Sequence, residues 1–145
     1  MSLVDTNRLV RDYLTTSSVL TDPLLILIGG IATPRIYCPR LEENATLPAV
    51  SFLTRGGRAD PSIVKLVSPS VQFDCWADNP IDARGIYRAL YDAMAGLVSV
   101  SIVIDGTTYY ITKIYEEVQG QDLIDTEIPY YFRVLTFYSI TIREV

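Results

Sequence analysis

The hydrophobic positions change period along the chain, and each change marks an element. Leu9, Val10, Tyr13 and Leu14 repeat at the spacing of one helical face, behind Asp5 or Thr6 as a cap. This helix is expected to fray over residues 15–18. Asp22 and Pro23 open a second, short helix with proline in its first turn, stopped by Gly29 or Gly30. Its run Leu24-Leu25-Ile26-Leu27-Ile28 is apolar throughout and is expected to be buried. Flanked by Pro34 and Pro39, residues 35–40 can form only a short edge strand.

Residues 47–54 read as a strand entered through Pro48, and residues 55–62, with Gly56-Gly57 and Pro61, as a hairpin or exposed loop. From Val71 to Ala77 the alternation is strict: Val71, Phe73, Cys75 and Ala77 share one face, Gln72, Asp74 and Trp76 the other. Asn79 then caps a helix with Pro80 in first position and Asp82 near the positive end of its dipole. Its stripe is Ala83, Ile86, Tyr87, Leu90, Met94 and Leu97, with Gly96 as the stop. Val98, Val100, Ile102 and Ile104 alternate with Ser99, Ser101 and Val103, and Asp105-Gly106 is a strong hairpin signal before a return strand over 107–118. A polar loop over 119–127 precedes a last strand, about 131–143, with Phe132, Val134, Tyr138, Ile140 and Ile142 on one face. Strands in runs with helices before and between them predict an α+β fold: one domain over 1–145, an antiparallel sheet with helices packed on one face.

Composition narrows the function classes. The 145 residues carry seventeen acids and twelve bases, a net charge of −5, which disfavours a partner held by phosphate neutralisation. Histidine is absent, and with it the commonest proton carrier and transition-metal ligand near neutral pH. Two cysteines, Cys38 and Cys75, cannot make a disulfide framework, so a reducing compartment is the simpler expectation. The first residues lack a basic region followed by an apolar one, and no early apolar run approaches the roughly 18 residues of a membrane span, so the chain is expected to be neither exported nor embedded. Yet 49% of residues are hydrophobic and mean hydropathy is +0.24. Some apolar surface is therefore expected in subunit contacts.

Catalytic constellations fail one by one, and no enzyme is expected. Lys65 and Lys113 are the only lysines, and Ser62 with Lys65 falls in a loop-to-strand segment without a pocket. Both glycine pairs lack the Gly-Lys-Ser/Thr of a phosphate loop. Glu42-Glu43 and Glu116-Glu117 point to opposite faces wherever they lie on strands and read as solvated acids. Asp122, Asp125 and Glu127 lack the spacing of a calcium loop. No cofactor and no metal is expected, and neither cysteine looks reactive.

What survives concerns contacts. Trp76 stands on the polar face of its strand, so either another element covers it or it anchors another chain. Ten of the fifteen aromatic residues are tyrosines, and Tyr109, Tyr110, Tyr115, Tyr130, Tyr131 and Tyr138 crowd the last third. Tyrosine suits a surface that is dry in an assembly and wet outside it. Residues 74–127 hold ten acids against three bases, whereas the remainder sums to +2, a polarity that lets copies stack head to tail.

The order of these signals resembles the tail-completion, or tail-terminator, proteins of long-tailed bacteriophages. The resemblance rests on Gly29-Gly30, Ile36-Tyr37, Leu47-Pro48-Ala49-Val50, the Gly56-Gly57 turn, Val71-Gln72-Phe73-Asp74-Cys75-Trp76-Ala77, the helix with Ala83, Arg84, Ile86, Ala89 and Leu90, and the closing Arg133-Val134-Leu135. The bulky Leu24–Ile28 run departs from the pattern. The resemblance implies a structural protein, assembled in the bacterial cytoplasm and located in the virion, that caps the finished tail tube as a ring, most simply a homohexamer. Its partners would be copies of itself, the tail tube protein and the head-side connector or stopper, with DNA only passing through the lumen. At −5 per copy such a ring would repel phosphates and let DNA slide. The alternatives are a neighbouring neck ring (head completion or stopper) and a small cytosolic ligand-binding α+β dimer. The residues expected at partners are Arg55, Arg58 and Asp60 in the first polar loop, Trp76, and Gln121, Asp122, Asp125 and Glu127 in the second.

Overall fold

The computed structural model describes residues 4–59, 66–95, 100–124 and 131–144. In chain order the elements are α1 (Thr6–Thr15), α2 (Asp22–Leu27), β1 (Ile36–Tyr37), β2 (Ala49–Ala59), β3 (Leu66–Ala77), α3 (Pro80–Met94), β4 (Val100–Ile104), β5 (Thr107–Ile124) and β6 (Phe132–Glu144). One six-stranded sheet has the order β1-β2-β3-β6-β5-β4. Every neighbouring pair is antiparallel except β1 with β2, so the sheet is mixed and not the purely antiparallel one expected. The exception arises because residues 38–48 carry the chain back to the end at which β1 began, where the Arg35 carbonyl accepts from Val50 N and the Arg35 guanidinium donates to the Pro48 carbonyl. The last strand inserts between β3 and β5, an arrangement that no local periodicity encodes.

The helices form locally as their caps dictate. Asp5 accepts from Arg8 N at 3.1 Å and Asn79 from Asp82 N at 2.8 Å, satisfying amides that a helix start leaves unpaired. Asp105 (φ 50°) and Gly106 (φ 80°) both take the left-handed conformation that a two-residue hairpin needs. α1 touches both β2 and β4, which lie on opposite sides of the sheet with three strands between them, so the sheet wraps around this helix. α3 lies over β3, β6 and β5, burying Ala83, Ile86, Tyr87, Leu90 and Met94 as its stripe predicts, while Leu97 and Gly96 lie outside the described residues. Phe52, Phe73 and Tyr138 form an aromatic chain through the core, with ring centroids 5.9 and 5.7 Å apart.

Three expectations are corrected. The Leu24–Ile28 run is not uniformly buried: Leu24, Leu25 and Ile28 are in the core, but Ile26 is 72% exposed, because a six-residue helix at the edge of the layer buries one side only. Residues 55–59 are strand and not loop, since β2 continues past a bulge between Thr54 and Gly57 to pair with β3. Residues 119–124 are likewise strand, because β6 is long enough to supply backbone partners to β5 beyond the bulges that follow Glu116. Hydrogen bonding to a neighbouring strand decides the state of a polar segment, whatever its side chains prefer.

Glu116 is not a solvated acid. Its Oε2 accepts from Tyr87 Oη at 2.6 Å and lies 2.7 Å from Thr136 Oγ1, while Gly120 N donates to the same tyrosine oxygen at 3.3 Å, tying α3 to the bulged part of β5. Beside it the fully buried Tyr138 hydroxyl has no hydrogen-bond partner among the described residues, and burial pushes its pKa well up. Tyr138→Phe is accordingly expected to leave stability unchanged or to raise it, whereas Thr136→Val, which removes the hydroxyl placed between the Glu116 carboxylate and the Val118 carbonyl, 2.7 and 2.9 Å away, is expected to cost about 1 to 3 kcal/mol. Urea unfolding of the two variants checks this; a larger loss for Tyr138→Phe would show that the hydroxyl is satisfied.

Candidate assembly surface

The helices cover one face of the sheet, and alternation along each strand decides what the other face carries. Val50, Phe52, Val71, Phe73, Val134 and Ile140 point into the core, which turns Leu53, Gln72, Asp74, Leu135 and Phe137 outward, with Leu53 opposite Gln72, Gln72 opposite Phe137 and Asp74 opposite Leu135. Leu53, Leu135 and Phe137 are half-buried, Val118 is 40% exposed and Tyr115 47% exposed. Among the described residues no helix lies over them.

Charge on this face is mostly basic. Arg133 Nη1 lies 3.4 Å from Asp74 Oδ1 and its guanidinium stacks on the Trp76 ring at 5.4 Å. Lys113 sits over Tyr115 at 5.2 Å and Arg143 over Tyr110 at 5.5 Å. Asp74 is buried, and burial pushes its carboxyl above the usual carboxylate range, opposed by the Gln72 hydrogen bond and by the Arg133 and Arg55 charges. The Arg55 charge thus acts on the buried Asp74 although nineteen positions separate them in sequence.

The residues singled out from sequence divide. Arg55 and Arg58 are exposed, on β2 and not on a loop, with Arg58 opposite Ser68. Trp76 is covered at 9% exposure: its Nε1 donates to Ser51 Oγ at 2.9 Å, Tyr131 meets it edge-on at 6.3 Å, and residues 38–44 share an open groove with it. It is therefore not an exposed anchor: Ser51 and Tyr131 meet it directly, and residues 38–44, which overlap the edge strand expected over 35–40, line the groove beside it. Gln121 is exposed opposite Leu135 on the bare face, whereas Asp122 turns toward the helices and pairs with Arg84 at 2.9 Å. Asp60, Asp125 and Glu127 lie outside the described residues. Sequence reasoning missed Lys113, Arg133 and Arg143. Period-two spacing from the core residues of the last strand would have marked Arg133 and Arg143 as outward, whereas Lys113 is turned outward by the bulge after the buried Ile111, which no spacing shows.

Elsewhere the described residues offer little chemistry. No group of three acidic or cysteine side chains among them is arranged to hold a metal ion. Burial pushes both thiols up, Cys75 strongly and Cys38 against an opposing Arg11 charge, so neither is poised as a thiolate. A groove of about 600 Å³ lies between the end of α1 and β4, lined by Tyr13, Val19, Leu20, Val100 and Ile102 with Asp12 at its margin. No described helix is long and apolar enough to cross a membrane. A scan of protein-family models finds no match to this chain, and a search of curated proteins finds none either.

Proposed function

We propose that the chain is a structural ring subunit of a long-tailed bacteriophage: a tail terminator that caps the finished tail tube and meets the head-side connector. The observation that carries the reading is the bare sheet face, where Leu53, Leu135 and Phe137 lie among tyrosines, arginines and a lysine. This mixture belongs to a surface wet in the free subunit and dry in an assembly. The order of elements, from the Gly29-Gly30 stop through the β3 motif to Arg133-Val134-Leu135, supports the family assignment. Six copies, a lumen that DNA traverses without sticking, and a place in the virion follow from the family. The reading gives the chain no catalysis and no cofactor. A small-ligand-binding domain is the second reading, and the groove between α1 and β4 is what favours it.

Light scattering with negative-stain imaging tests the proposal. The expected result is a closed ring of about the mass of six chains that binds one end of purified, uncapped tail tubes. A chain that remains monomeric at high concentration and leaves tubes undecorated overturns it. Binding at the head connector alone would favour the neighbouring neck ring.

A further inference from the structure

We infer that the bare sheet face of one copy docks on the helical layer of the next, head to tail, through opposite charge. The inference rests on the ring reading and names the contact that would build such a ring. On the sheet face five bases, Arg55, Arg58, Lys113, Arg133 and Arg143, stand against the acids Asp74 and Glu117, and the 38–44 segment beside Trp76 adds Arg40, Glu42 and Glu43, so six bases meet four acids, an excess of +2 in a chain whose total is −5. Only Arg133 of the six is in an ion pair among the described residues.

The helical layer has the opposite sign. α1, α2, α3 and their capping residues carry five aspartates, at 5, 12, 22, 82 and 92, against four arginines, and Asp78 stands one position before the α3 cap Asn79. Two of those arginines are already taken, Arg8 by Asp105 and Arg84 by Asp122. The layer also exposes apolar side chains, Ile81 at 83% and Tyr91 at 43%, that a partly apolar sheet face would cover. The two faces lie on opposite sides of one subunit. A contact between them is therefore heterologous: it leaves a basic face free at one end and an acidic face at the other, and so it continues to add copies, closing into a ring when the rotation between successive copies closes and growing as a filament when it does not. A two-fold contact of like faces would set basic against basic, or acidic against acidic, at a cost of repulsion.

Two charge-reversed variants test this. Lys113→Glu with Arg143→Glu makes the sheet face acidic; both residues are exposed and neither is in an ion pair. Asp12→Lys with Asp92→Lys makes the helical layer basic, at residues adjoining the Tyr13 hydroxyl bond to the Ala93 carbonyl that joins α1 to α3. Neither aspartate side chain caps a helix, so circular dichroism and melting should match the unaltered chain. In sedimentation at low salt each variant alone is expected to lose self-association by at least about tenfold, because every contact then sets like charge against like. Mixed in equal amounts the two are expected to recover it, since the acidic sheet face of one now meets the basic helical layer of the other. Raising the salt to about 1 M, where the screening length falls to about 3 Å, should weaken both the mixture and the unaltered chain. Unchanged association of either variant, a mixture that does not recover, or an unaltered chain that never associates overturns the contact. If the mixture recovers but no assembly caps tail tubes, the contact stands and the phage reading falls. If rings cap tubes and ignore these charges, the reverse holds.

Discussion

Leu90→Ala is expected to lower the folding free energy by about 2 to 5 kcal/mol, and Arg88→Ala by less than about 0.5 kcal/mol. Leu90 is fully buried in the middle of α3, on the stripe packed over β3 and β6, and truncation removes its apolar contacts and leaves a cavity that the rigid sheet below closes only in part. Arg88, two positions earlier, faces water and has no ion-pair partner among the described residues, so its loss removes little. The two variants keep the same helix and differ only in the side presented to the sheet. Urea denaturation monitored by circular dichroism measures both. Equal shifts in midpoint would show that α3 packs by another side.

Gly57→Ala is expected to cost on the order of 3 kcal/mol or more, from steric overlap added to backbone strain. Gly57 occupies the bulge of β2 at φ 126°, a conformation that side chains avoid, and a Cβ there would run into the backbone of Ser68 and Pro69 on β3. Backbone of a paired strand cannot swing aside as a side chain can. Gly56→Ala is the control: its φ of 76° is also left-handed, but nothing lies within 4 Å of its Cβ, so the cost should stay near the 1 to 2 kcal/mol of the conformation alone. The difference in melting between the two variants isolates the clash, and a difference near zero would show that β2 and β3 are not paired through this bulge.

The glycine pair shows how far a polar, glycine-bearing segment misleads. Gly56-Gly57 reads as the end of a strand, yet β2 runs on to Ala59, because a left-handed residue can be absorbed by a bulge when the opposite strand still offers hydrogen bonds. Gln119 to Ile124 misleads in the same way: its first four residues, Gln119, Gly120, Gln121 and Asp122, are polar and uncharged, glycine or acidic in succession, and the pairing with β6 alone makes it strand. Trp76 shows the complementary limit. Its outward direction is legible from alternation, but the groups that meet it, Ser51 and Tyr131, and the 38–44 segment across the groove lie far from it in sequence.

Local order was in the sequence: the helix starts at Asp5 and Asn79, the core stripe of α3, the Asp105-Gly106 turn and the alternation of β3 each depend on residues within a few positions of one another. Caps, turns and periodicity act over that range, so the local order of residues alone can state them. The tertiary structure decided the parallel β1, the insertion of β6 between β3 and β5, the length of β2 and β5, and the gathering of Arg55, Lys113, Arg133 and Arg143 onto one face opposite an acidic helical layer. Each of these depends on which distant backbone satisfies a given amide, and that choice is made by burial and pairing across the whole domain rather than by any neighbour along the chain.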